Sequence, residues 1–345
     1  MLDAAQKIRH QYMMLSFFFL CAFVLVAQVP SATQVVPEDI PGIVKAGTKI
    51  ELVKGGLDGT DDPIGLPDGT TLFTEPPANR IWKIDQAGRI SVFRENSNGG
   101  LGMSLDSKGR LFSVQSAYGH TGIAVISPPG TETVITDNFE GMPFGRPNDL
   151  IVDKKGGVYF TDPGLNGAQA EAVKRALAGK PLAPRLPPAV YYVPAGGKAI
   201  KVADTIERPN GITLSRDEKT LFLNNTNGLY MLAFDINPDG TLRNRRNFAV
   251  YEGRSKRPND LPGIVTGADG LIIDSEGRLY ALTAAGVEIF SPQGKQLGII
   301  RMSCNDQDCQ GLAFSGPKKS TLYVAGRGAV WKIEMLSTGF KGRAK

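Results

Sequence analysis

Histidine is almost missing from this chain. Two occur in 345 residues, His10 and His120, and His10 lies in an N-terminal stretch unlike the rest. With one imidazole left, a histidine-ligated zinc or iron centre is excluded, and so is a two-histidine general-base pair. A Ser-His-Asp or Cys-His arrangement would have to be built on His120 alone. Neither a G-x-S-x-G nucleophile turn nor a phosphate-binding P-loop occurs. Cysteine is as scarce: Cys21, Cys304 and Cys309 are all there is. The last two stand in CNDQDC and read as a small local disulfide of an oxidising compartment, closing a loop too short to add much stability. As half of a zinc site they find no second Cys or His pair to complete it. No run of Lys and Arg interleaved with aromatics exists and the formal net charge is a modest +5, which leaves nucleic-acid binding without support.

Long apolar runs are missing too. The longest, residues 13–27, is shorter than the roughly 20 residues a membrane-spanning helix needs. It follows Lys7, Arg9 and His10 and precedes Pro30, Ser31 and Ala32, the pattern of a secretory signal. Residues 1–32 are therefore read as a signal peptide, with an uncleaved N-terminal anchor as the alternative, and the protein as secreted or periplasmic. Cys21 sits inside the run without a lipoprotein context, so no lipidation is expected. The remainder divides into a lead-in (33–57), one folded domain (58–336) and a C-terminal tail (337–345).

What is abundant is glycine, with 41 residues, and proline, with 23. That excess points to many short strands joined by tight turns, in a chain long enough to bury its core without staples. One phrase recurs: an apolar pair, then Asp or Ser, a turn with Gly, and a β-rich tripeptide. It is found as DDPIGLPDGTTLFTE from Asp61, NGGLGMSLDSKGRLFSV from Asn98 and RPNDLIVDKKGGVYFTD from Arg146. It returns as RPNGITLSRDEKTLFLN from Arg208, GADGLIIDSEGRLYALT from Gly267 and QGLAFSGPKKSTLYVAG from Gln310. Each copy reads as strand, turn, strand, and further strand-like runs lie between copies, such as RIWKIDQAGRISVF from Arg80. Six copies of four strands predict an all-β, six-bladed β-propeller, which a sandwich would not explain. The stretch AQAEAVKRALAGKPLAPRLPP after residue 167 interrupts the third copy; a short helix over 168–178 and a proline-rich return are expected, either as a lid or as a loop without a role.

With histidine gone, oxygen chemistry remains. Four copies begin on a carboxylate or an amide: Asp61, Asn148, Asn210 and Asp269. In a propeller these positions converge on one end of the central channel, where two carboxylates and two amide carbonyls form the hard donor set that calcium takes. The alternative for each is a local turn hydrogen bond, which Asn and Asp make before strands.

These residues carry a family resemblance. In 145–164 (GRPNDLIVDKKGGVYFTDPG), 208–222 (RPNGITLSRDEKTLF) and the ADGLIIDSEGRLY segment from Ala268, the chain resembles the SMP-30/gluconolactonase/regucalcin-like family over 58–333. The resemblance implies a six-bladed propeller with calcium, or another divalent cation such as Zn2+, Mn2+ or Mg2+, in its channel. It implies metal ligation by Asn210 and Asp269, metal or substrate contact by Asn148, and substrate contact by Arg146. The departure is at the first ligand, where the family has Glu, a small residue and Pro, and this chain has Asp61-Asp62-Pro63. Asp61, a bridging water or Asp62 would serve there. The activity implied is hydrolysis of a lactone, with Asp269 as the base for the attacking water and His120 as a polar contact if it faces the channel rather than the surface. The expected partner is a small lactone or ester, with no nucleic acid, no membrane beyond the signal segment, and a monomeric protein. Two rival readings are a non-catalytic binding platform and a related arylesterase or phosphotriesterase.

Overall fold

The computed structural model describes residues 34–117, 119–165, 170–171, 175, 184–256, 263–304, 309–343 and 345. Each copy of the repeated phrase folds as a β-hairpin, and in three of them an Asp explains why. The Asp106 carboxylate accepts the N–H groups of Lys108 and Arg110, folding the chain back on itself. Asp153 does the same for Lys155 and Gly157, and Asp274 for Glu276 and Arg278. Such Asx turns need a residue with positive φ before the returning strand, supplied by Gly109 at +76°.

The hairpins extend into five four-stranded antiparallel sheets and one five-stranded sheet. In the first five blades the strands follow chain order outward: blade 1 covers residues 61–95, blade 2 103–136, blade 3 150–203, blade 4 209–250 and blade 5 271–300. The innermost strands are Asp61–Gly65, Met103–Leu105, Leu150–Val152, Pro209–Leu214, Leu271–Ile273 and, in blade 6, Gly311–Ser315. Each lies against the innermost strand of the next blade, and Gly311–Ser315 returns to Asp61–Gly65, so the ring is closed. The protein is an all-β six-bladed propeller.

Blade 6 is assembled from both ends of the domain. Its strands run Gly311–Ser315, Thr321–Gly326, Ala329–Glu334, then Lys49–Lys54 with Gln34–Val35 outside it. Ile50 pairs with Ile333 and Leu52 with Trp331. The 33–57 segment is thus more than a lead-in: it covers a strand edge that would otherwise be open to other chains. The core lies in layers between neighbouring blades. Phe112, Val114 and Ile123 of blade 2 pack on Phe160 and Tyr191 of blade 3, and Tyr159 and Ile151 pack on Ile212 and Leu221 of blade 4.

Residues 1–32 lie outside the described residues, so the signal reading stays an expectation; among the described residues no helix is long and apolar enough to cross a membrane. Most of the helix expected over 168–178 is also outside them, although Ala170, Glu171 and Arg175 are helical. Cys304 and Cys309, both buried, are disulfide-bonded. The 337–345 segment does not hang free: Ser275 N–H donates to Thr338 C=O and Gly339 N–H to Lys319 C=O.

Candidate active site at the leading end of the channel

Because the innermost strand is the first strand of each hairpin, their starts gather at one end of the channel, and so do Asp61, Asn148, Asn210 and Asp269. Local backbone features set each one. The ladders of blades 1 and 4 shift register between Asp61 and Ile64 and between Pro209 and Ile212. Such bulges re-aim side chains at functional rims. Asp62, inside the first bulge, has a φ of +25°, outside the usual regions for a residue with a Cβ, and its N–H donates to Asp61 Oδ1 at 2.9 Å.

Asn148 is fixed through its backbone: its N–H donates to Thr161 C=O and its C=O accepts Gly102 N–H from blade 2, each at 2.9 Å. The loop before it hangs on Asp162, whose fully buried carboxylate accepts the N–H groups of Gly145, Arg146 and Gly164 at 2.6, 2.8 and 2.9 Å. Asn210 is fixed through its side chain. Its Nδ2 donates to Thr226 Oγ1 at 3.0 Å, and Thr226 Oγ1 donates to Ala268 C=O at 2.9 Å, next to Asp269. Asp269 is held by its own N–H on Leu282 C=O, and its C=O accepts Asn224 Nδ2 at 2.6 Å.

The electrostatics follow from crowding. Burial pushes the Asp61 carboxyl up to about 6, with Asp149 raising it further while the Asp62 N–H, Arg146 and Arg327 pull the other way. Burial also holds Asp269 well above the usual carboxylate range, helped by Asp61 and Asp149 and opposed by Arg208 and Arg146. Asp62 is raised in the same way, by burial first and then Asp149. The Arg146 guanidinium is lowered by burial and by Arg208, against the attraction of Asp61, Asp269 and Asp162. Four acids thus face one another across the channel with arginines beside them. Asp61, Asp62 and Asp269 are each costly to ionise there without a further positive charge.

The donor set fits a hard divalent cation. Asn210 Oδ1 is buried and accepts no hydrogen bond, while its Nδ2 is committed to Thr226, so the amide presents a bare carbonyl oxygen. A buried acceptor of that kind is uncommon and calls for an ion or water. Among the described residues no three His, Cys, Asp or Glu side chains cluster closely enough to hold a metal by themselves, so a cation here must use amide oxygens as well.

Of the residues expected from the sequence, Asp61, Asn148, Arg146, Asn210 and Asp269 are gathered here. His120 stands apart: it is exposed, on the loop between Leu111–Gln115 and Gly122–Ser127, with its C=O accepting Asn98 Nδ2. It borders a cavity of about 560 Å³ with Asn98, Thr121 and Arg185. Three residues that the sequence pattern does not single out join those at the channel end. Arg208 repeats Arg146 in the second RPN phrase, Asp149 completes RPND, and Asp162 belongs to the TDPG that ends the third copy.

A family model described as "SMP-30/Gluconolactonase/LRE-like region" matches residues 66–327. A gluconolactonase from Zymomonas mobilis is 27% identical over 325 residues, covering 87% of this chain and 85% of that one. A gluconolactonase from Xanthomonas campestris superposes with a TM-score of 0.72 at 22% identity, over 89% of this chain and 96% of its own. A calcium-binding regucalcin from Agrobacterium tumefaciens superposes with a TM-score of 0.63 at 19% identity, over 85% and 95%. At these identities the two structures speak for the fold.

Proposed function

The chain belongs to the SMP-30/gluconolactonase/LRE-like family, and on that premise we propose that it is a lactonase that opens a small sugar lactone with the help of a divalent cation, calcium first. The observation that carries this reading is the bare Oδ1 of Asn210 beside the crowded carboxylates of Asp61 and Asp269. Asp61, Asn148, Asn210 and Asp269 would hold the cation, and Ca2+ suits an all-oxygen set of this kind. When bound, the cation supplies Lewis-acid polarisation of the lactone carbonyl.

The chain's own residues do the rest. Water adds to the carbonyl carbon, the bond from that carbon to the ring oxygen breaks, and the products are a carboxylic acid and a hydroxyl on one chain. Asp269 takes the proton from the water and returns it to the departing ring oxygen. A carboxylate beside the reacting carbonyl can take that proton as a general base. Arg146 and Arg208, both drawn toward Asp269, orient the lactone's oxygens and receive the carboxylate product. Asp162 keeps Arg146 and Asn148 in place through the loop it pins.

The apolar N-terminal run and the disulfide support export to an oxidising compartment. The test is hydrolysis of glucono-1,5-lactone and a simple γ-lactone with calcium, with EDTA, and by Asp269→Ala. Activity that needs the cation and is lost in the variant is the expected result. A folded protein inactive on both lactones and indifferent to EDTA would overturn the reading in favour of a binding platform.

A further inference from the structure

The other mouth of the channel, where the Asx turns lie, is covered by the C-terminal segment. Leu336 and Ser337 donate their N–H groups to Ile43 C=O, and Tyr280 Oη donates to Ser337 Oγ. Lys319 Nζ donates to the carbonyls of Phe340 and Arg343. The guanidinium groups of Arg216 and Arg343 both stand against the Phe340 ring, at 5.7 and 5.6 Å. Arg343 then pairs with Glu218 at 3.0 Å and donates to Leu214 C=O at 2.6 Å, at the far end of the blade 4 innermost strand. The segment therefore spans blades 4, 5 and 6 across the mouth and brings Lys345 into the channel.

There, Lys345 Nζ pairs with Asp149 Oδ2 and donates to Ile212 C=O at 2.9 Å. The side chains of Lys345 and Asp149 are only 4% and 5% exposed. Asp149 Oδ2 also accepts Ile212 N–H at 2.9 Å, and Asp149 Oδ1 accepts Leu150 N–H. One ammonium thus closes a bridge between blade 3 and blade 4. Asp149 follows Asn148, and Ile212 lies two residues after Asn210, so the bridge sits directly behind two of the four residues assigned to the cation.

We propose that the 337–345 segment is a plug for the turn-side mouth and that Lys345 is a positioning residue, setting the spacing of blades 3 and 4 under Asn148 and Asn210. This rests on the cation-site reading above only for its consequence in catalysis; the bridge itself does not depend on it. The reason is the cost of a lone buried charge. Without the ammonium, the Asp149 carboxylate is buried without its partner, and the strands part to let water reach it. An amide at that position removes the charge: its oxygen can still accept Ile212 N–H, at the cost of the acceptor for Leu150 N–H.

The experiment uses the full-length chain with Lys345→Met, Asp149→Asn and the double variant. Calcium affinity by calorimetric titration, lactone kcat, and the urea midpoint in EDTA are measured for each. Lys345→Met is expected to weaken calcium binding and lower kcat about 10-fold, in the range seen when outer-sphere partners of metal sites are removed. Adding Asp149→Asn should restore at least a third of both losses and bring the urea midpoint back toward wild type. Wild-type affinity and midpoint in Lys345→Met would overturn the proposal, as would a double variant no better than the single one. If wild type proves inactive on lactones while the midpoints still couple, the lactonase reading fails and the bridge stands.

Discussion

Gly211 follows the cation-site Asn210, and the structure gives a worked reason for its being glycine. A Cβ placed there would stand 2.1 Å from Asp269 O, 2.8 Å from Leu271 N and 3.0 Å from Gly270 C. All three are backbone atoms of blade 5, so no side chain can swing aside. Ordinary contact is roughly 3.5 Å, and Gly211→Ala must therefore part the two innermost strands by about 1.4 Å. Overpacking of this kind costs about 1–3 kcal/mol, and roughly 2–4 °C in Tm for each kcal/mol in a domain of this size. The displacement falls between Asn210 and Asp269 themselves, and a misplacement of about 1 Å in a reacting constellation costs on the order of 100-fold in rate. The assay is lactone hydrolysis in a pH-stat, with Tm by calorimetry. Gly55→Ala is the control, since a Cβ there meets only Leu52 side-chain carbons at 3.7 and 3.9 Å. Gly211→Ala protein that folds and keeps wild-type kcat/KM would refute the argument that this strand contact sets the site.

Two further outcomes are expected. Thr226→Val keeps the shape of Thr226 but removes the hydroxyl that fixes the Asn210 amide and donates to Ala268 C=O, and should weaken calcium binding by about 10-fold and lower Tm by a few degrees, whereas Thr226→Ser should bind as wild type does. Replacing Cys304 and Cys309 together by Ser opens only a short loop and should cost about 2 kcal/mol at most; calorimetry should show a drop of a few degrees in Tm, with lactone hydrolysis unchanged.

The propeller was legible because its repeat is physical: an Asp that folds a turn, a glycine that tolerates it, and strands that alternate between neighbouring blades. The converging positions Asp61, Asn148, Asn210 and Asp269 could be read for the same reason, since each stands at the same place in its copy. The Lys49–Lys54 strand could not be, because its partner Ala329–Glu334 lies at the other end of the sequence and no repeat links them. Arg208 was within reach as the twin of Arg146. Asp162 and Lys345 were not, for their roles depend on where a loop and a tail come to rest in space.

The last blade carries a consequence for how the chain matures. Ile50 must wait for Ile333, 283 positions later, before its strand has a partner. Drawing together segments so far apart opposes closure by an entropy on the order of 5 kcal/mol, relieved only when the final strand is laid down. During synthesis the earlier blades can form one by one, but the ring stays an open arc with two bare edges until residues 329–334 have emerged.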